Sequence, residues 1–426
     1  MDRGQARHLL RRTGGDTRPT ELDAVAVLSR GDAVDRILDF GPNPAWSPPR
    51  PADDKRGAHA NAIAAYWVDR WATIPRPFEM KLLLFFHSHF AVHVRRMSEP
   101  RWMDEYLTTI HPRMLGDFGE LVKAVALSPA MLSYLDNNRN RVGRTNENFA
   151  RECFELHLLG ANTYTQSDVA EAARAWTGHT IGDDGSYRYR ADWHDDGDKT
   201  VLGVRRNWDG PELIDHVLAD PALRVTAARH IVGRLWHFLT ATDAPGAVLD
   251  AVAQVFVANS FQVRPMLRAL LLREEFLTGI GSRPIPRTPM EYVADLQRVT
   301  GLRSGDVRPH QRLRQMGQMP FQPPSPAGWD DVSTFISASA FMTRAAYARL
   351  VAVRAQNGTT FLEGIPEQPP GDAALTALRA FGLDDVSAAN RQLLQDYVAA
   401  QRGQRGWQER LNVTSTVALS PDAQVG

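Results

Sequence analysis

The stretch NENFARECFELHLLG, residues 146–160, decides the fold class. It carries no proline, and its Phe and Leu residues recur at helical spacing. It therefore predicts one helix, closed by Gly160, the residue type that most readily takes the left-handed conformation at a helix C-terminus. At about 100° per residue, Asn148, Glu152 and Glu155 fall within about 60° of one another. Phe149 and Leu156 flank this stripe on one side, Phe154 and Leu158 on the other. The projection predicts two carboxylates and an amide in the middle of an apolar arc. Buried without partners they would be strongly destabilising, so each must meet an arginine, a histidine or a cation. Arg151, four residues before Glu155, is the local partner expected for it.

Outward from this helix the same period recurs. Helical spacing marks residues 5–12 and 20–40, where Thr20–Asp23 reads as a capped start. A proline-rich loop covers 41–56, and helices resume from Ala58 through Trp67 and Trp71, then from Glu79 to Val94. Two more fill 101–135, broken around His111-Pro112 and Gly116, and 136–145 is a polar turn. A further helix over 166–178 opens on a Thr165/Asp168 capping box, with Val169, Ala172, Ala173 and Trp176 as its packing face and Glu171 paired with Arg174 or with the preceding helix. Residues 186–190 alternate with period two, which predicts short strands between 180 and 210. Helical spacing returns over 211–277 and 290–301 and, after a loop at 303–330, for most of the remaining chain. The reading is mainly α: a multi-helix globular bundle with a small irregular or β-hairpin insertion. Its expected organisation is a helical lobe over 1–180 carrying the His and Glu motifs, an insertion over 181–210, and a second helical lobe over 211–426 packed with the first as one unit.

The bulk numbers remove several function classes. Lys+Arg and Asp+Glu are equal, at 49 each among 426 residues, so there is no basic excess to attract nucleic acid or an acidic membrane. Cys153 is the single cysteine, which excludes an internal disulfide framework or a cysteine-rich zinc site. No apolar run approaches the length of a membrane span. Arg11-Arg12 leads into Thr-Gly-Gly-Asp rather than an apolar run, so it does not read as an export signal and a cytoplasmic location is expected, with export on a signal-bearing partner as the alternative. There is no Gly-x-Ser-x-Gly elbow, Walker loop or Rossmann glycine fingerprint.

Four other segments carry chemistry. Residues 85–93, FFHSHFAVH, set imidazoles in an apolar environment, where each needs a hydrogen-bond partner or a metal. His89 and His93 share a helical face, whereas His87 points about 200° away from His89. Residues 193–200 gather His194, Asp195, Asp196, Asp198 and Lys199 on a loop, the kind of segment that often holds a site. Met319–Trp329 joins aromatics to prolines and is expected to cover the core. Glu171 and Arg174 complete the polar set.

These segments, in this order, resemble the bacterial family called domain of unknown function 1800. The resemblance runs through His8–Arg12, Phe85–Phe90, Asp136-Asn137 to Glu152, Tyr164–Val169 to Gly178, His194–Gly203, Pro289–Tyr292, Gln322–Trp329 and Ser420-Pro421, essentially the whole chain. Relatives usually have Trp in place of Phe86 and Asn in place of Ser88, often Trp in place of His179, and an apolar residue in place of His157. The resemblance implies a mostly helical fold and frequent gene pairing with a second, sulfatase-like family.

Two functions follow as expectations. The first is an enzyme with a buried His/Glu site, binding a divalent metal such as iron, manganese or zinc through His87, His89, Glu152 and Glu155. His194 and Asp195 would extend that site, and Arg151 or Lys199 would steady an anionic substrate. The second is a non-catalytic scaffold that acts with the protein encoded alongside it, its polar stripe serving as structural glue. The substrate of the first is not legible in the sequence.

Overall fold

Apolar helical faces must be buried against one another, and here they meet in one continuous cluster that runs from Ala6 to Ala423. The structure is a computed structural model that describes residues 1–50, 55–329 and 332–425. Residues 51–54 of the proline-rich loop and residues 330–331 at the end of the later loop lie outside the described residues. The chain is mainly α-helical, and no described helix is long and apolar enough to cross a membrane.

At the centre lies the helix Phe78–His89, buried along almost its whole length. It contacts the helices Arg30–Leu38, Arg56–Thr73 and Arg101–Ile110. Charges on so apolar a helix require partners, and they have them. Glu79 accepts from Arg70 Nη2 at 3.0 Å and bonds His111, while Lys81 Nζ donates to Glu291 Oε1 at 2.5 Å. Farther along, Leu223–Thr240 packs on Gly246–Ala258, and Ala338–Gly358 packs on Gly406–Leu419.

The strands expected between 180 and 210 form two hairpins. β1 (His179–Ile181) pairs antiparallel with β2 (Tyr187–Tyr189), with Thr180 opposite Arg188. β3 (Lys199–Val201) pairs antiparallel with β4 (Val204–Arg206), with Thr200 opposite Arg205. The second turn places both Leu202 and Gly203 at positive φ, 49° and 82°, as a tight two-residue hairpin turn demands. Leucine is strained there. Its N–H is held by Asp168 Oδ1 at 2.7 Å, and the same side chain caps the helix Gln166–Ala175 in the expected capping box with Thr165.

Three expected boundaries move. Residues 20–40 form two helices, Pro19–Ala26 and Arg30–Leu38, the first opened by Pro19 and not by a Thr20 cap. The central helix stops at His89 and not at Val94, because the following chain turns off to bond a loop, Val94 N–H to Phe321 O at 2.8 Å. His93 therefore does not share a helical face with His89; its Nδ1 accepts from Arg95 N–H at 3.0 Å.

Candidate functional site

The segment 148–158 starts as an α-helix over Asn148–Glu152 and continues as a π-helix over Cys153–Leu158, with Leu159 N–H bonded to Phe154 O, five residues back, at 2.8 Å. Its buried residues are Phe149, Ala150, Cys153, Phe154, His157 and Leu158. Asn148 is exposed, and Glu152 and Glu155 are half-buried. The expectation of a polar stripe inside an apolar arc is corrected: the stripe lies on the opposite side from the core. The arc closes through Ala150, Cys153 and His157, which a projection that counts only Leu and Phe leaves out. Arg151 bonds Glu147 at 3.0 Å and Gln166 at 2.9 Å rather than Glu155, which instead accepts from the Tyr164 hydroxyl at 2.6 Å. Partial burial, and then the neighbouring Glu155, raise the pKa of Glu152.

A π turn widens the helix and leaves carbonyls near its end without helical donors. Two histidines supply them. His230 Nε2–H donates to Leu156 O at 2.9 Å, and His89 Nε2–H donates to His157 O at 3.2 Å. Because a carbonyl can only accept, both imidazoles carry their proton on Nε2, and each Nδ1 keeps a lone pair. His89 Nδ1 is buried without a partner. The His89 ring lies 6.0 Å from that of His157 and 6.2 Å from that of His230. Burial first, and Arg234 second, hold His89 well below its ordinary pKa and push His157 down to about 3. Burial likewise lowers His230.

His87 faces the other way, as the 200° separation requires. Its Nε2 accepts from Phe321 N–H at 3.0 Å among the rings of Trp67, Tyr106, Phe321 and Trp329, and burial lowers its pKa to about 3. Next to it, Ser88 Oγ accepts from Trp329 N–H at 3.2 Å. Gly328 sits so close that any Cβ there would fall 2.3 Å from Ser88 O, and its φ is +95°. The histidine helix and the proline-rich loop are thus one unit, and Phe321 covers core as expected.

The four residues expected to share a metal are not gathered. His87 and His89 diverge, and both glutamates lie on the outer face of their helix. Among the described residues, no group of three or more His, Cys, Asp or Glu is placed to hold a metal ion. The loop residues are not drawn to them either. Asp195 takes a two-pronged bond from Arg174, Nε at 2.8 Å and Nη2 at 3.0 Å, and Arg174 also holds Glu171 at 2.9 Å. His194 Nδ1–H donates to Thr177 O at 2.9 Å. Lys199 is fully buried and donates to Asn207 Oδ1 and Trp208 O at 2.7 and 3.0 Å. These groups clamp the second hairpin onto the helix Gln166–Ala175.

The uncompensated chemistry lies on a helix that the sequence reading passed over. Leu223–Thr240 contains no acidic residue, and Arg229, His230, Gly233, Arg234 and His237 line a cavity of about 500 Å³. Ser88, Phe85, Phe238 and Trp329 form other walls. Arg229 is paired with Asp250, and His237 Nδ1 lies 3.7 Å from Asp243, which is fully exposed. Arg234 donates Nη2–H to Ala327 O at 3.2 Å and has no carboxylate partner among the described residues. Burial lowers its pKa with no neighbouring acid to offset the effect. His230 Nδ1 has no partner among the described residues and abuts Gly160 (φ +82°), where a Cβ would come within 3.0 Å of it. The available sequence signal was an acid-free helix whose arginines and histidines recur on one face.

A profile of the family described as "Protein of unknown function (DUF1800)" matches residues 8–425, so the chain belongs to that family. No curated protein and no solved structure matches the chain.

Proposed function

We propose that this member of the DUF1800 family binds a small oxyanion-bearing molecule in the cavity between the histidine helix and Leu223–Thr240. Arg234 is the charge anchor, and neutral His230 is a proton acceptor beside it. One observation carries the reading: a half-buried guanidinium lines a cavity without a counter-charge among the described residues. A cation withdrawn from water is costly unless paired, and a bound anion supplies the missing partner. Guanidinium also presents a planar fork of donors suited to carboxylate or phosphate, and only one of its donors is used here. The bond from His230 to Leu156 O fixes the imidazole tautomer, so its Nδ1, which lies beside Gly160, keeps the lone pair that a proton acceptor needs. That supports proton abstraction or hydrolysis as the reaction class.

The test is isothermal titration of the full chain with acetate and with inorganic phosphate. At least one should bind, and Arg234→Gln should weaken it at least tenfold without lowering the melting temperature. Equal affinity in the two proteins, or no binding of either anion, would overturn the reading.

A partner-binding role is the second reading. It is supported by a groove of about 470 Å³ lined by Leu378, Leu393, Leu394, Tyr397 and Leu419, in which Leu393 is 67% exposed. If the protein encoded alongside docks there, Leu393→Glu should abolish co-purification and leave anion binding unchanged.

A further inference from the structure

The cavity is far larger than an inorganic anion needs, and its walls are of two kinds. We infer that its ligand is an apolar monocarboxylate with a ring-sized body, the carboxylate on Arg234 and the body against Phe85, Phe238 and Trp329. This deepens the anion-site reading and rests on it.

Charge decides the headgroup. Arg229 is taken by Asp250, and burial keeps His89, His157 and His230 neutral. Arg234 is the cation left without a carboxylate among the described residues lining the cavity. A single positive charge is matched by a monoanion, and a dianionic phosphate would carry a second charge into a partly desolvated space. The planar carboxylate also fits the guanidinium fork. Ser88 adds a hydroxyl whose oxygen accepts from Trp329 N–H, which leaves its own proton to donate.

Shape decides the body. A volume near 500 Å³ falls within the range of about 300–1,000 Å³ that small-molecule sites occupy. The aromatic wall is already built. Phe85 and Phe238 meet edge-to-face with centroids 5.4 Å apart, and Trp329 is fixed by its backbone bond to Ser88 and by its ring contact with His87 at 5.2 Å. Phe238 and Trp329 are half-buried, with buried Phe85 behind them, and such rigid, partly exposed rings gain most from an apolar body that displaces the water against them. Gly233 points the same way. A mid-helix glycine is unfavourable relative to alanine, yet an added Cβ would meet only Leu249 Cδ1, at 3.8 Å. Packing does not require a glycine there; its effect is to leave the cavity wall open.

The experiment is titration calorimetry on the full chain with 3-phenylpropionate, acetate and inorganic phosphate. Phenylpropionate should bind at least tenfold more tightly than acetate or phosphate, and Arg234→Gln should cost it at least tenfold. Gly233→Leu, which narrows the cavity and removes no contact, should lose phenylpropionate and retain acetate. Phe238→Ala should shrink the preference for phenylpropionate; if that variant fails to fold, Gly233→Leu carries the same test. If acetate matches phenylpropionate and both depend on Arg234, the apolar-ligand inference falls and the anion site stands. If phosphate binds most tightly, the monoanion assignment falls. If none binds, the anion site itself falls.

Discussion

Arg174 and Arg234 both sit within helices and both face a loop, yet their surroundings differ completely. Arg174 holds Asp195 and Glu171 through two bonds each, while the backbone N–H of Thr200 in β3 donates to Glu171 and that of Leu202 in its turn donates to Asp168. Arg234 has a single bond, to a carbonyl, and a cavity beside it. In sequence the first region looked the more chemical, because it gathers acids, a histidine and a lysine in one short loop. The comparison teaches that a count of ionisable groups does not mark a site. What marks it is a group whose charge or lone pair the fold leaves unspent.

The compensated extreme is the buried pair Lys81–Glu291, with side chains 4% and 12% exposed, and it should give the largest effect. Lys81→Ala strands a buried carboxylate and should cost about 3–5 kcal/mol in urea unfolding. A loss below about 1 kcal/mol would show that pairing does not dominate even there.

Acid comes next. His87 and His157 have folded pKa values near 3, against an ordinary value of 6.5. Their neutral forms therefore favour the folded state fully above about pH 6.5, and that contribution drains away as pH falls toward 3. Each can withdraw up to about 1.4 kcal/mol per pH unit within that window. The melting temperature should drop steadily from pH 7 to pH 5, and a flat profile would mean these imidazoles are not held neutral.

The direct contrast should be smaller. Arg174→Leu releases two carboxylates that are only partly buried, so a loss of about 1–2 kcal/mol is expected after solvent screening. Arg234→Leu should leave stability unchanged or raise it, because it removes an unpaired cation. Equal losses in the two variants would erase the distinction drawn above. The smallest expected effect is at the cavity wall: Gly233→Ala should stabilise the ligand-free protein by up to about 1 kcal/mol through helix propensity alone, read as a shift in urea midpoint.

Particular residues show where sequence reading reached and where it stopped. The near-continuous apolar run of Phe78–His89, the 3.6-residue period over Gln166–Ala175 and the period-two alternation at 186–190 were legible because each is a pattern of neighbours along the chain. The divergence of His87 from His89 followed from the same arithmetic. The buried face of 148–158 was misread, since Ala150, Cys153 and His157 look neutral in a pattern and become core only when another helix packs on them. The π turn was illegible, because its Leu156 and His157 carbonyls depend on His230 and His89, residues distant along the chain.

By itself, then, the sequence determined a mainly helical chain, the hairpin insertion and the family. Local spacing and composition suffice for those. Which charges are cancelled was decided only by the tertiary structure. Arg174 and Arg234 differ in what long-range packing sets against them, and electrostatic compensation acts across space, where separation along the chain carries no information.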